Sequence, residues 1–160
     1  NSFQKQKAWS MVNKNQNGLE YIENNNKVIA IILSSEFKSE GINFFTSDDF
    51  TQQLGYMRHP KNYRILPHVH NAVPRKVNFT KEVLFIKSGK IRVDFYDDNQ
   101  KYLESRILKK GDVILLAFGS HGFEMLEPSE MIEVKQGPYV GEKDKTRFEP
   151  ATNDEIKVKD

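Results

Sequence analysis

The sequence contains no cysteine among its 160 residues. This excludes disulfide bonds, thiolate metal ligands and cysteine nucleophiles from the chain. A bound metal ion would therefore have to use histidine nitrogens and carboxylate oxygens. Such mixed sites suit iron, nickel, manganese, zinc and copper, and the ligand types alone do not choose among these metals.

Long apolar runs and an excess of charge of one sign are also lacking. The longest apolar run, Val28 to Leu33, is far too short to span a bilayer as a helix, so no membrane segment is expected. The 24 basic and 22 acidic residues are spread along the chain, so we do not expect a nucleic-acid partner. Because residues 1–17 lack the apolar core of an export signal, the expected location is cytoplasmic.

The length predicts one domain over residues 1–160. Short β-rich runs alternate with turn residues and no long helical period occurs, which predicts an all-β fold, an antiparallel β-barrel or jelly roll. The core barrel is expected at about residues 42–139. An extension, residues 1–41, contains a predicted hairpin from Leu19 to Leu33, and residues 140–160 form a polar arm that is loosely packed or used by a partner.

Two local patterns carry specific structural predictions. Glu82 to Lys87 and Lys90 to Tyr96 flank Ser88-Gly89 and predict a β-hairpin. A strand from Tyr63 to His70 is expected after the turn at His59-Pro60, a loop whose histidine we interpret as structural or solvent-exposed. The remaining predicted elements are strands at Ile42–Thr46, Gln52–Arg58, Tyr102–Leu108, Val113–Phe118, Gly122–Leu126 and Met131–Gln136, and a helical turn at Ser47–Phe50.

The alternation of side chains along strands places the histidines in a pattern that indicates a metal site. His68 and His70 would face the same side of an extended segment, because side chains alternate along a strand. Glu82 would share a face with Leu84 and Ile86, which places its carboxylate in the interior. An unpaired buried carboxylate is costly, and a divalent cation would offset that cost.

His121 would complete the set, because it shares its face with Phe123 on a later strand. His68, His70, Glu82 and His121 are thus the predicted ligands of a divalent transition metal: iron, manganese, nickel or zinc, with copper also compatible. In the alternative interpretation, Glu82 pairs with a cation such as Lys87 or Arg92, and the histidines only line a cavity.

These residues resemble the two motifs of the cupin superfamily, G-x5-H-x-H-x3-4-E-x6-G and G-x5-P-x-G-x2-H-x3-N. His68-x-His70 and Glu82-x6-Gly89 match the first motif, and Gly111, Gly119 and His121 match most of the second. The spacing departs from the motif between His70 and Glu82, where a longer loop, residues 71–81, intervenes. Ala117 stands where the second motif has proline, one residue instead of two separates Gly119 from His121, and the final asparagine is absent.

Residues 66–148 also resemble small bacterial cupin proteins associated with surface polysaccharide biosynthesis. The resemblance lies in Glu82–Ile86, Arg92–Asp97 and Glu133–Tyr139. It implies a sugar or sugar-nucleotide ligand without defining a reaction. Cupin domains often dimerise through sheet edges, so a homodimer is expected, with the Leu19–Leu33 hairpin as a candidate edge.

The resemblance leaves several functions open. The first is a metal-dependent enzyme acting on a small oxygen-rich molecule, with His68, His70, Tyr56 and Arg64 as catalytic candidates and Arg58 as a possible orienting group. The alternatives are a non-catalytic sugar-binding or regulatory cupin, a metal-free sugar isomerase or epimerase that uses His68 and His70 as acid and base, and an iron-dependent dioxygenase.

Overall fold

A computed structural model describes residues 16–160 of the chain, and they form an all-β structure, as predicted. The only helical element in this part of the chain is a short 3₁₀ helix at Gly141–Asp144, and no helix in it is long and apolar enough to cross a membrane. The ten strands are β1 (Leu19–Asn24), β2 (Lys27–Leu33), β3 (Gly41–Phe44), β4 (Gly55–Arg58), β5 (Glu82–Ser88), β6 (Lys90–Tyr96), β7 (Tyr102–Lys109), β8 (Val113–Leu116), β9 (Ser120–Met125) and β10 (Glu130–Lys135).

Two antiparallel sheets enclose the main apolar core. The larger sheet has the strand order β1-β2-β8-β5-β10, and the smaller has the order β7-β6-β9. In the strands of both sheets, alternate side chains point inward and are apolar. Many are β-branched or aromatic residues, which favour β-strands. The inward side chains that are buried between the sheets are Ile22, Ile29, Ala30, Ile32, Leu84, Ile86, Ile91, Val93, Phe95, Leu108, Ile114 and Leu116.

The opposite face of the larger sheet is also covered. Strands β3 and β4 form a separate hairpin, and the residues around it pack Phe45 and Leu54 onto that face. Tyr21 donates its hydroxyl proton to the Phe45 carbonyl at 2.7 Å. Because β2 is covered on both faces, its sequence is continuously apolar, with Ile31 and Ile32 buried in different cores.

The prediction of a hairpin around Ser88-Gly89 is wrong. Strand β5 pairs with β8 and β10, whereas β6 pairs with β7 and β9, so the chain crosses from one sheet to the other at this point. Gly89 has a φ of +88° and lies so close to Ser129 that a Cβ would be 2.1 Å from its Oγ. This tight corner redirects the chain between sheets, and a local turn pattern cannot distinguish that path from a hairpin.

The predicted strand from Tyr63 to His70 is also absent. No helix or strand lies between β4 and β5, and every residue from 60 to 79 is exposed. A strand requires a neighbour for its backbone hydrogen bonds, and no described strand of the same chain pairs with this segment. The predicted helical turn at Ser47–Phe50 is a simple turn, in which the Phe50 N–H donates to the Ser47 carbonyl at 3.1 Å.

One lateral side of the two-sheet sandwich is closed by β1 and β7. The Arg106 guanidinium of β7 contacts the Glu20 carboxylate of β1 at 2.5 Å. The C-terminal arm then runs beside β7, where the Ser105 N–H donates to the Lys157 carbonyl at 2.9 Å and the Lys159 N–H donates to the Ser105 carbonyl at 3.0 Å. The arm is therefore attached to the sheet, and the expectation of loose packing is wrong for its end.

The other lateral side of the sandwich is open. Strand β10 ends the larger sheet, and β9 ends the smaller one. Within residues 16–160, neither strand has a neighbour on its outer edge. Unpaired edges of this kind present backbone N–H and C=O groups that can pair with another strand.

The core between the sheets predicts a clear asymmetry between two substitutions. Phe95→Ala removes a ring that is 0% exposed, so we expect the free energy of unfolding to fall by about 3–5 kcal/mol. Ile107→Ala on β7 is the matched control, because Ile107 is 45% exposed and its loss should cost less than about 1 kcal/mol. Urea unfolding measures both, and equal effects would contradict the position of the core.

Candidate functional site at the open side of the sandwich

Glu82 and His121 meet at the open side, where they connect the two sheets. Glu82 begins β5 and lies on the inner face with Leu84, whereas His121 lies on β9 opposite Phe95 of β6. The His121 Nε2 atom is 2.9 Å from the Glu82 Oε2 atom. The His121 and Glu82 side chains are 28% and 14% exposed, so both are partly shielded from solvent.

A glycine fixes how the chain enters β9. Gly119 has a φ of +71°, and a Cβ at this position would lie 2.6 Å from the Tyr96 carbonyl oxygen. No other residue fits here without displacing backbone. The Ala117 N–H donates to the Ile29 carbonyl at 2.8 Å just before this turn. The turn after β8 is thereby held against β2 and β6, which positions His121 two residues later.

The environment keeps the Glu82 carboxyl group ionised. The hydrogen bond with His121 holds the pKa of Glu82 below its ordinary value, and burial opposes that effect. The charges of His121 and Lys145 lower the pKa further. An ionised carboxylate can only accept a hydrogen bond, so His121 donates its Nε2 proton. In the neutral ring, Nδ1 is then the nitrogen with a free lone pair.

The structure does not support the alternative partners considered for Glu82. Lys87 lies 3.8 Å from Glu130. Arg92 binds Asp94 and Glu124, each at 2.7 Å. His121 is therefore the partner that this carboxylate uses.

Lys81, the residue before Glu82, was not identified from the sequence. Its side chain lies on the other side of the strand, is buried, and donates to the Ala117 carbonyl. Its ammonium nitrogen lies 3.5 Å from the centroid of the Phe118 ring, a cation–π contact. Burial lowers the pKa of Lys81, and the nearby charge of Lys27 adds to this effect. The only signal in the sequence was a lysine at the start of an apolar strand.

His68 and His70 lie in the exposed segment between β4 and β5, away from secondary structure. Their ring centroids are 5.2 Å apart, and His68 Nδ1 is 2.9 Å from the Leu66 carbonyl oxygen. Among residues 16–160, no three histidine, aspartate or glutamate side chains form a group that could hold a metal ion. The structure thus brings two of the predicted ligands together, Glu82 and His121, and leaves the other two exposed.

The other candidate residues are not brought to the Glu82–His121 pair. Tyr56 packs its ring at 5.0 Å from that of Phe37, in the core on the opposite face of the larger sheet. Arg64 is exposed in the 60–79 segment, and Arg58 forms a 2.8 Å ion pair with Glu40. His59, interpreted from the sequence as structural, stacks on Tyr63 with ring centroids 4.0 Å apart.

The spacing of the two side chains is suited to two ligands of one metal ion. Two ligand atoms at about 2.1 Å from one ion, bound at right angles, lie about 3 Å from each other. The 2.9 Å separation between His121 Nε2 and Glu82 Oε2 fits that requirement. Two ligands are fewer than a stable protein site uses, and the described residues of one chain supply no third. A single chain therefore does not fit the four-ligand site.

Comparisons with known proteins give no relative: no protein-family model matches the chain, and no curated protein or solved structure matches it. The cupin resemblance therefore rests on the sequence motifs, and it stays a prediction.

The hydrogen bond between Glu82 and His121 predicts a pH-dependent contribution to stability. Since the folded-state pKa of Glu82 is lowered, the contribution is complete above the ordinary carboxyl range and is lost as the pH falls through the lowered value. Glu82→Gln should lower the free energy of unfolding by about 1–2 kcal/mol at pH 7, with a smaller difference from the wild type near pH 3.

Urea unfolding at both pH values measures this difference. Glu149→Gln is the control, because Glu149 is exposed in the C-terminal arm. A Glu82→Gln effect of the same size at both pH values would contradict the role of the ionised carboxylate.

Proposed function

We propose that the protein is a cupin-type jelly-roll protein that binds a small oxygen-rich molecule, a sugar or sugar nucleotide, beside the Glu82–His121 pair. The observation that carries the proposal is the 2.9 Å hydrogen bond between these side chains at the open side of an apolar sandwich. Small-molecule sites use a few convergent polar groups beside apolar side chains, and this pair supplies such groups.

The charges around the pair support a polyhydroxylated ligand. Lys135 pairs in register with Glu82 across β5 and β10, and its ammonium lies 3.9 Å from Glu133. The positive charge of Lys145 lowers the pKa of the Glu82 carboxyl group. The opening therefore offers carboxylate acceptors and ammonium donors. Sugar hydroxyls use both kinds of partner, and a nucleotide phosphate would use the lysines.

The same geometry favours acid–base chemistry as a second candidate function. Glu82 accepts the Nε2 proton of His121 and so orients the imidazole, while Nδ1 remains able to accept a proton. A histidine held by a carboxylate is suited to remove or return a proton next to a carbonyl group, as a sugar isomerase or epimerase requires. In this proposal His121 is the acid–base residue and Glu82 is its positioning residue.

A divalent transition metal remains part of the proposal. Glu82 and His121 would supply two of its ligands, and His68 and His70, which lie exposed in the 60–79 segment, are the predicted further ligands. Cytoplasmic location and a homodimeric state also remain predictions.

Ligand binding can be tested with the purified protein. Thermal shift and isothermal titration against a panel of sugar phosphates and nucleoside-diphosphate sugars should identify at least one ligand that raises the melting temperature. His121→Ala should weaken its binding by about tenfold or more, and Lys110→Ala in the β7–β8 turn should not change it. A panel without any binding, or binding unaffected by His121→Ala, would overturn the proposal.

Metal content can be tested separately. Elemental analysis of untagged protein, purified without chelator or nickel resin, should give about one transition-metal equivalent per chain in the wild type. The content should fall in Glu82→Gln and in His121→Ala. A wild type that takes up no added iron, manganese, nickel or zinc would exclude the metal site. Ligand binding by that metal-free protein would favour acid–base chemistry.

A further inference from the structure

A cavity lies on the opposite side of the larger sheet from the Glu82–His121 pair. It has a volume of about 560 Å³, which is within the range of small-molecule sites. Its walls come from the end of β3, from the β3–β4 loop and from the 60–79 segment. The lining includes two aromatic, two acidic and two basic residues: Phe44 and Phe50, Asp48 and Asp49, and Arg75 and Lys76.

The two basic side chains have no acidic partner among residues 16–160. The Arg75 guanidinium donates to the Val73 carbonyl at 3.4 Å, and neither Arg75 nor Lys76 forms an ion pair with a described residue. Both residues are exposed. A guanidinium carries five N–H donors in a planar fork that fits two phosphate oxygens, and an ammonium adds a compact positive charge. This wall of the cavity is therefore suited to a phosphate group.

The ring of Phe44 offers a flat apolar surface to the same cavity. Phe44 lies opposite Gly55 across β3 and β4, and its ring covers this glycine, since a Cβ there would be 2.9 Å from two ring carbons. The contact supports the ring from one side, and Phe44 as a whole remains 45% exposed. Planar ligands such as nucleic-acid bases stack on aromatic rings of this kind.

The β3–β4 loop is held in place by its own hydrogen bonds. The side-chain amide of Gln53 donates to the Ser47 carbonyl at 2.9 Å and to the Phe50 carbonyl at 3.0 Å. The Phe50 ring packs edge-on against Phe118, with centroids 5.8 Å apart. Asp49 accepts the Ser47 hydroxyl proton at 2.5 Å. Since a carboxylate has about four acceptor sites, Asp49 can also accept a proton from a ligand hydroxyl.

We propose that this cavity binds a nucleoside phosphate, a ligand that joins a planar base to a ribose and a phosphate group. The base stacks on the Phe44 ring, the phosphate binds Arg75 and Lys76, and Asp49 accepts a hydrogen bond from a ribose hydroxyl. A simple sugar phosphate has no planar ring for Phe44, and a free base has no anionic group for the basic wall. The three kinds of lining group thus match the three parts of one class of ligand.

This site is separate from the one at the open side of the sandwich. Phe50 packs with the core on the outer face of the larger sheet, whereas Glu82 lies on the inner face with Leu84. The inference therefore does not rest on the proposed function. A free nucleotide and the nucleotide half of a sugar nucleotide carry the same base and phosphate, so both sources have the chemistry that this cavity recognises.

Isothermal titration with AMP, GMP, CMP and UMP tests the site, with glucose 1-phosphate and orthophosphate as comparison ligands. At least one nucleotide should bind about tenfold more tightly than glucose 1-phosphate, because only the nucleotide stacks on Phe44. Equally tight binding of glucose 1-phosphate or orthophosphate would overturn the assignment to a nucleoside. No binding of any of the four nucleotides would overturn the site.

Substitutions in the basic wall locate the binding. Arg75→Ala and Lys76→Ala should each weaken binding of the nucleotide by about tenfold, because each removes a phosphate partner. Lys61→Ala is the matched control, since Lys61 is exposed in the same segment but does not line the cavity. It removes the same charge and should leave the affinity unchanged. Equal losses in all three variants would indicate unspecific attraction to positive charge and would overturn the site.

A substitution of the aromatic ring tests the stacking. Phe44→Leu keeps an apolar side chain over Gly55 but removes the ring, so binding of the nucleotide should weaken by about tenfold. Phe79→Leu is the control, because Phe79 is 73% exposed in the 60–79 segment and lies outside the lining. Unchanged binding in Phe44→Leu would overturn the choice of a nucleoside. If Phe44→Leu does not fold, the exposed Arg75 still allows the site to be tested.

The two proposed sites can fail independently of each other. Loss of nucleoside monophosphate binding in Arg75→Ala, with binding retained in His121→Ala, would support this inference. Loss in His121→Ala, with full binding in Arg75→Ala, would overturn it and would support the site at the Glu82–His121 pair. Titration with the diphosphate glucose of the same nucleoside then identifies the source. Tighter binding than the monophosphate supports a sugar nucleotide at this cavity, and weaker binding supports a free nucleotide.

Discussion

The candidate site depends on the apolar core that holds the two sheets together. Phe95 and Ile86, both fully buried, come from different sheets and pack in the same core. The packing of this core sets the distance between β5 and β9, since the two strands share no hydrogen-bond ladder. The Glu82–His121 bond spans that gap at its open end. Hydrophobic burial and dispersion in the core therefore set the separation of the two strands. The hydrogen bond between the polar groups then orients the two side chains.

The two lateral sides of the sandwich differ in whether their edge strands are protected. On one side, the Arg106–Glu20 ion pair and the C-terminal residues protect β1 and β7. On the other side, within the described residues, β9 and β10 remain unpaired, and the polar pair sits between them. Proteins usually protect sheet edges, so an unprotected edge beside a candidate site indicates that the edge has a use.

Much of the fold could be predicted from the sequence, because it depends on local alternation. The strands β6, β7, β8 and β9 were placed within a few residues, and the inward set Ile91, Val93 and Phe95 followed from period-two patterning. Strand pairing could not be predicted in the same way. The corner at Gly89 has the sequence of a hairpin turn, and only the contacts with Ser129 and the partners of β5 show that the chain changes sheets.

For the candidate site too, the sequence predicts which face of a strand a side chain occupies but not which strands pair. Parity correctly placed Glu82 and His121 on inner faces, and the structure brings them into contact. For His68 and His70, parity states that they would share a face of a strand but does not say whether the segment forms a strand, and in the structure it does not. Tyr56 illustrates a related limit, since it lies in the core on the far side of the larger sheet.

The C-terminal residues beside β7 also determine what kind of assembly this sandwich can form. Edge pairing continues from molecule to molecule when both ends of a sheet are available, and it then yields filaments. Here the pairing of Ser105 with Lys157 and Lys159 occupies the β7 edge. With the β7 edge occupied, the smaller sheet has one unpaired edge among the described residues, β9, so pairing through the edges of this sheet could not continue from molecule to molecule. The arm thus ends the sheet at β7.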